Sequence, residues 1–415
     1  MAPSPTGFLH IGGVHTFLFN WLFARGSGGE VRLRIENTDT SREVAEAVGQ
    51  IERSLRWLEL EWDGETTFQL DRLERCQAEG RRLVEEGKAY EDEGAIRFRM
   101  PEDGTTGWDD VIRGRIEFPN DKLDDLVILR TDGRPTYNFA SPVEDWLDGI
   151  THVIRGDDHV SNTPKQIRIL EGLGAELPVY AHVANINGED GRKLSKRHGA
   201  VSVDEFREAG YVPDALFNFL ALLGWAPDGE TTIMSRDEIV ERFSLEKVGA
   251  SPATFDYQKL DWMNGVYLRS MSPEAYAEAL LDWLREQGID WDQARVRASA
   301  PLVQEKIARL GEFPGFAGFL FGPVEPDREQ LSGSAAVLAE AERALAEVEP
   351  FAADRIEAAL KDVCERLELK PRQAFAPIRL AVTGSKVSPG LYESLELLGR
   401  DESLSRLGSA AAVAA

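Results

Sequence analysis

The chain has 415 residues, 42% of them hydrophobic, and a formal net charge of −25. That length holds about two to four domains, the apolar content is ordinary for a soluble protein, and neither a bilayer-spanning apolar run nor a signal-peptide pattern is present. The only cysteines, Cys76 and Cys364, are too few and too far apart for a disulfide framework or a thiolate zinc site, so a cytoplasmic protein is expected. The acidity points away from a polyanionic partner at first sight. Binding follows local potential, however, which screening confines to about 8–10 Å, so the total charge does not veto such a partner.

Val14, Phe17, Leu18, Trp21 and Leu22 recur at helical spacing, and Gly26 is expected to end that helix. Val31, Leu33 and Ile35 then alternate with Arg32, Arg34 and Glu36, which predicts a strand. Thr40 and Glu43 form a capping box before a second helix with the stripe Val44, Val48, Ile51, Leu55 and Leu58. This order suits a doubly wound α/β domain. From Ile96 to Phe139 short strand-like runs, Ile96–Arg99 and Leu126–Leu129, alternate with Gly-containing turns and predict an inserted α+β unit. The parallel-sheet pattern resumes at Thr151–Arg155. Thr163-Pro164 opens the next helix and Gly174 closes it. Beyond Ala200 helical periodicity runs through Asp214–Gly224, Pro273–Gln287, Ser334–Val348 and Asp354–Glu368, and the small-residue tail Gly408–Ala415 is expected to fray. The fold class is therefore α/β, a Rossmann-type doubly wound parallel sheet with an inserted α+β unit and an all-helical C-terminal region.

Two segments carry chemistry. Ala2-Pro3-Ser4-Pro5-Thr6-Gly7-Phe8-Leu9-His10-Ile11-Gly12-Gly13 feeds a helix start, where backbone N–H groups and the helix dipole favour an anion. Pro3 and Pro5 stiffen the loop, Gly7 turns it, Gly12 and Gly13 let a ligand lie flat, and His10 adds a donor. Lys193-Leu194-Ser195-Lys196-Arg197 places two lysines around a small hydroxyl, behind a Gly188-Glu189-Asp190-Gly191 turn whose glycines allow closure over a ligand. Fixed cations there stabilise the charge that builds on a transferring phosphate. Together the segments predict nucleotide activation. His10 and His15 are not spaced as a zinc pair on one helix face, so no metal site is expected.

This pairing resembles the two signature motifs of class I aminoacyl-tRNA synthetases, and in detail the glutamyl-tRNA synthetase family. The second motif matches as Lys193–Gly199, and further likeness runs through Val201–Phe206, Leu220–Trp225, Ser251–Asp256, Ala381–Gly384 and Val387–Pro389, so it covers nearly the whole chain. The resemblance implies catalytic roles for His10, Lys193 and Lys196. It implies ATP binding by Pro3, Ser4, Pro5, Thr6, Gly7, His10, Gly12, Gly13 and Lys193, Leu194, Ser195, Lys196, Arg197. It implies glutamate binding by Ala2, Ser4, Glu36, Tyr137, Ser141 and Arg155, with Glu36 on the α-amino group. A guanidinium such as that of Arg155 suits a carboxylate because its fork binds both oxygens.

The chain departs from the family at three places. Asn37 stands where aspartate is usual. The segment after Tyr90 is short, so no zinc is expected. The family strand before Ala2, which carries an arginine for the substrate side chain, has no counterpart here, and the native protein is expected to extend upstream by about one strand.

The implied activity is ATP-dependent formation of glutamyl-adenylate, with Mg²⁺ bridging phosphates, followed by transfer to the 3′-terminal adenosine of tRNA-Glu by a monomer. The implied domains are 1–76 and 141–200 (Rossmann halves), 77–140 (acceptor-stem binding), 201–272 (stem contact) and 273–415 (helical, anticodon binding). Three alternatives share parts of this pattern: a glutamyl-queuosine tRNA-Asp synthetase, which lacks the anticodon-binding part; a catalytically silent tRNA- or nucleotide-binding paralogue; and a plain nucleotidyltransferase of the same superfamily.

Overall fold

A computed structural model describes residues 2–5, 9–37 and 46–415. The chain forms two compact units, one of Met1–Phe206 with Pro213–Leu260 and one of Arg207–Val212 with Asp261–Ala415.

In the first unit, helix Ile11–Ser27 buries Val14, Phe17, Leu18 and Leu22, as the periodicity predicts. It does not stop at Gly26. It stops at Gly28, whose φ of 67° is left-handed and turns the chain out of the helix. Gly26 answers a different need: a Cβ there would lie 3.1 Å from the Val240 carbonyl oxygen.

Two βαβ units follow. Arg34–Ile35 pairs in parallel with Thr67–Phe68 across helix Ala47–Trp57. His152–Gly156 pairs in parallel with Val179–Val183 across helix Thr163–Leu173. A third parallel pair joins Ile186–Asn187 to Ala253–Thr254. Among the described residues the first two pairs share no ladder bond. Helix Ile11–Ser27 packs on His152–Gly156, where the Asn20 amide donates to the Ile154 carbonyl at 2.9 Å. Helix Thr163–Leu173 opens with Pro164 and closes on Gly174 at φ 75°. The predicted capping box Thr40/Glu43 and Val44 lie outside the described residues. Of the rest of that stripe, Ile51, Leu55 and Leu58 are buried and Val48 is half-buried.

The inserted segment holds a three-stranded antiparallel sheet, Ala89–Asp92, Ala95–Phe98 and Leu126–Leu129. It also holds a hairpin of Thr105–Asp110 and Gly114–Pro119. The first hairpin turns on Glu93 (φ 50°) and Gly94 (φ 87°), the doubly positive geometry that matches strand twist in two-residue turns. Neither piece stands alone. Leu83, Phe98 and Ile128 share one core with Phe139, Ile169 and Leu173, and Trp108 packs with Ile167 and Tyr180.

The second unit is helical. Pro273–Glu286 starts on Ser272, whose hydroxyl accepts from Ala275 N–H, with Pro273 in the first turn. The expected fraying of Gly408–Ala415 does not occur. Helix Arg400–Ala414 runs through it and packs on Ala335–Ala346, with Leu407 and Ala410 fully buried. Small side chains there allow close helix approach: a Cβ on Gly408 would lie 3.0 Å from the Glu342 carboxylate. Among the described residues no helix is long and apolar enough to cross a membrane.

Gly172 sets the seat of the inserted sheet. A Cβ there would lie 2.7 Å from the Phe98 ring. Gly172→Ala should therefore destabilise the protein by about 1–3 kcal/mol through overpacking, although alanine favours a helix by about 1 kcal/mol. Urea unfolding measures it; equal or greater stability would show that Phe98 gives way without cost.

Candidate functional site

A single cavity of about 1180 Å³ in the first unit gathers most of the residues singled out in the sequence. Ala2, Pro3, Ser4, His10, Gly12 and Gly13 line it from the N-terminal loop and helix start. Glu36, Tyr137, Ser141 and Arg155 line a second part, and Lys193, Leu194, Ser195 and Lys196 a third. Pro5 is buried and does not line the cavity. Arg197 does not line it either; its guanidinium is paired with Asp190 at 3.0 Å. Thr6 and Gly7 lie outside the described residues.

The helix start is built from both signature segments. Ile11 N–H donates to the Val201 carbonyl at 2.7 Å, and His10 forms an antiparallel bridge with Ser202. Gly12 N–H donates to His10 Nδ1 at 3.1 Å. The N–H groups of this helix end are thus already partnered, and what faces a ligand is the dipole and the imidazole. Because Nδ1 accepts, the ring proton sits on Nε2, and the ring also bonds the Leu194 backbone. Burial, then Lys193, lowers the pKa of His10, so the ring is neutral. His15 belongs to the core instead: Nε2 bonds the Leu223 carbonyl at 2.7 Å, and burial lowers its pKa to about 4.

The lysine segment leaves Ile186–Asn187 by a turn in which Gly191 donates to Gly188 at 3.0 Å. Gly188 is required by packing, since a Cβ would lie 2.6 Å from the His198 ring. Ser195 caps the short turn Lys196–His198, and Tyr257 donates to the Ala200 carbonyl at 2.8 Å beyond it. Among the described residues the one ion pair of Lys193 is with Asp158, at 3.9 Å with both side chains exposed, so its charge remains available.

The opposite wall is a buried charge cluster. Arg34, which strand alternation would turn outward, is buried with Nε 2.9 Å from Glu144 and Nη1 2.8 Å from Asp145; Nη2 donates to Ser141 at 3.3 Å. Glu36 is tied to the loop through its N–H, which donates to the Pro3 carbonyl at 2.9 Å. Burial raises its carboxyl to about 8 despite Arg34, and burial raises Glu144 to about 7. Tyr137 starts helix Tyr137–Leu147, bonds His159 Nδ1 at 3.0 Å, and is pushed by burial to about 12.

Arg155 has no carboxylate partner among the described residues. It donates to His182 Nε2 (3.2 Å), Gln166 Oε1 (2.7 Å) and Thr163 Oγ1 (2.8 Å). Sequence reading missed Arg34, Glu144, Asp145 and His182. The usable signals were the adjacent acids Glu144-Asp145 and a histidine inside the apolar run Tyr180–Val183. Among the described residues no three acidic, histidine or cysteine groups converge on a metal position.

The arrangement joins cationic groups beside a helix start to a pocket in which Glu36 stands with Arg155, an arginine without a carboxylate partner among the described residues. The first suits phosphates and the second a zwitterion. A family model described as tRNA synthetases class I (E and Q), catalytic domain, matches residues 1–95 and 91–262, and one described as anticodon binding domain matches 275–411. Fold and site thus define a class I tRNA synthetase. The two catalytic matches meet at residues 91–95, in the tight hairpin turn where the sequence is short.

Glutamate–tRNA ligase 2 of Rubrobacter xylanophilus is 41% identical over 98% of this chain and 95% of its own length, and glutamate–tRNA ligase of Moorella thermoacetica is 39% identical over 99% and 97%. The crystal structure of a glutamate tRNA ligase from Elizabethkingia meningosepticum in complex with its amino acid superposes with a TM-score of 0.85 at 28% identity, covering 99% of this chain and 98% of that one. The chain belongs to the glutamate–tRNA ligase family.

Glu36 and Glu144 hold protons in the folded state well above the ordinary value of 4.5. The folded chain then binds more protons than the unfolded chain, so their contribution to stability is lost as pH rises from about 4.5 towards 7 and 8. Denaturant unfolding should show this decline. Glu36→Gln should remove the part ending near 8, and Glu144→Gln the part ending near 7. Identical pH profiles in wild type and both variants would mean that these carboxyls titrate normally.

Proposed function

We propose that this chain is a glutamate–tRNA ligase in which the cavity holds ATP at the His10/Lys193/Lys196 end and glutamate at the Glu36/Tyr137/Arg155 end. The observation that carries the reading is their convergence on one cavity of about 1180 Å³ from segments far apart in the chain. Glu36 takes the α-amino group, while Arg155 takes a carboxylate. Tyr137 and Ser141 orient the substrate, with Ala2 and Ser4 beside them. The glutamate α-carboxylate attacks the α-phosphorus of ATP, an O–P bond forms, and the bond to pyrophosphate breaks. His10, a neutral ring fixed between Gly12 N–H and the Leu194 backbone, lies beside the phosphates, and Lys193 and Lys196 offset the charge that grows on the equatorial and leaving oxygens. Mg²⁺, where the reaction uses it, would enter with the ATP phosphates and supply further charge neutralisation there.

A terminal ribose hydroxyl of tRNA-Glu then attacks the glutamyl carbonyl carbon: an ester C–O bond forms, the acyl–phosphate C–O bond breaks, and AMP leaves with the hydroxyl's proton taken up by its phosphate or by solvent. We assign acceptor-stem contact to residues 77–140, stem contact to 201–272, and anticodon recognition to 273–415, acting as a monomer in the cytoplasm. The anticodon-binding match over 275–411 favours this reading over a queuosine-directed relative that lacks such a part.

ATP–pyrophosphate exchange with glutamate and tRNA-Glu tests the reading. Lys196→Ala should lower kcat by about 10²–10³, the size of losing one transition-state donor, with a smaller change in ATP affinity. Near wild-type exchange would reduce Lys193–Arg197 to a solvated loop.

A further inference from the structure

The arginine of the pocket is aimed by the inserted hairpin. A guanidinium can only donate, so the 3.2 Å bond from Arg155 Nε requires a lone pair on His182 Nε2. The imidazole proton is then on Nδ1, which faces Asp110 Oδ2 at 2.5 Å. Both side chains are wholly inaccessible. Asp110 ends strand Thr105–Asp110 and is over-determined there. Its Oδ1 accepts from His182 N–H (3.1 Å), Ile112 N–H (3.2 Å) and Arg113 N–H (3.1 Å), and Trp108 Nε1 reaches Oδ2 at 3.3 Å. The hairpin end is in turn held to the sheet by Val111 N–H on the Tyr180 carbonyl and by Arg113 on Asp157. Burial would raise the Asp110 carboxyl, but these bonds, the one from His182 first, hold it down at about 2, so it is ionised and can only accept.

The line Asp110–His182–Thr163 has the outline of a nucleophilic triad, with Thr163 Oγ1 3.1 Å from His182 Nε2. It is not one. Thr163 is fully buried and does not line the cavity, and it also receives a bond from Arg155.

We propose that Asp110 and His182 are positioning residues for amino-acid recognition: the hairpin end sets the His182 tautomer, and the tautomer sets the direction of the Arg155 guanidinium. A guanidinium has five N–H donors. Three are used on His182, Gln166 and Thr163, which leaves one on each terminal nitrogen for a carboxylate. All three holding groups are neutral, so the orientation is fixed without neutralising the charge. The inserted segment is thereby a working part of the amino-acid pocket. This inference rests on the reading that Arg155 binds substrate.

Asp110→Asn tests it. The new amide donates to Nδ1, drives the ring proton to Nε2, and turns that proton against the Arg155 N–H. The KM for glutamate should rise by about 10–100-fold, the usual scale for losing an orienting partner behind a ligating group, while the KM for ATP stays unchanged. ¹⁵N shifts of the His182 ring should report the tautomer change directly. His182→Gln, which keeps an acceptor near the Nε2 position, should retain most glutamate affinity. His182→Asn keeps only a donor near Nδ1 and should lose it; this pair carries the test if Asp110→Asn does not fold. Arg155→Ala serves as the reference. If Arg155→Ala impairs glutamate use but Asp110→Asn and His182→Asn do not, the positioning role is overturned and the reading of the site stands. If Arg155→Ala itself changes nothing, the reading of the site falls. Equal loss for glutamate and ATP in His182→Gln and His182→Asn would mark the pair as merely structural.

Discussion

Arg34 stands in the cavity wall with its guanidinium 2.9 Å from Glu144 and 2.8 Å from Asp145, a buried charge that ties two elements of that wall together. An uncompensated ion in such a place costs several kcal/mol. The carboxylates of helix Tyr137–Leu147 offset it, and Ser141 of the same helix is drawn to it as well. Strand Arg34–Ile35 and that helix are thereby locked together, which fixes Glu36 and Tyr137 relative to one another. The two arginines of the wall have opposite fates. Arg34 is neutralised by acids and serves the scaffold. Arg155 is held by a histidine, a glutamine and a threonine, so its charge remains for something that enters the cavity.

The proposed phosphate end follows a related logic. A helix N-terminus offers unpaired N–H groups and a positive potential. Here Val201 and His10 occupy the leading N–H groups, so the potential remains while the donors are used internally. The cation beside that potential is Lys193, which is exposed and meets Asp158 only at 3.9 Å. The same bonds join the start of the first signature segment to the residues just after the second.

The inserted segment has two faces to its role. Its sheet shares a core with helices Tyr137–Leu147 and Thr163–Leu173, while its hairpin presses Trp108 on Tyr180 and sends Asp110 under the sheet. Its position is set by side chains at van der Waals contact and by buried polar bonds. Through Asp110 and His182 the segment is bonded to the group that holds Arg155.

Local pattern determined much of this protein. The helix over Ile11–Ser27, the strands at Leu126–Leu129 and His152–Gly156, the Pro164 start and Gly174 stop, and the two signature segments were all legible, because periodicity, caps and turn glycines act over a few residues. The pocket residues Glu36, Tyr137 and Arg155 were legible through resemblance rather than through any spacing between them. What the sequence could not decide was which charges meet. Arg34 and Asp145 are 111 positions apart, and Asp110 and His182 are 72 apart. Strand alternation placed Arg34 outward; topology buried it. Small residues made Gly408–Ala415 read as a loose end, yet the same small size lets Arg400–Ala414 pack closely on its neighbour. Pairing of distant charges and tolerance for close approach are properties of the assembled surfaces, and only the tertiary structure brings those surfaces together.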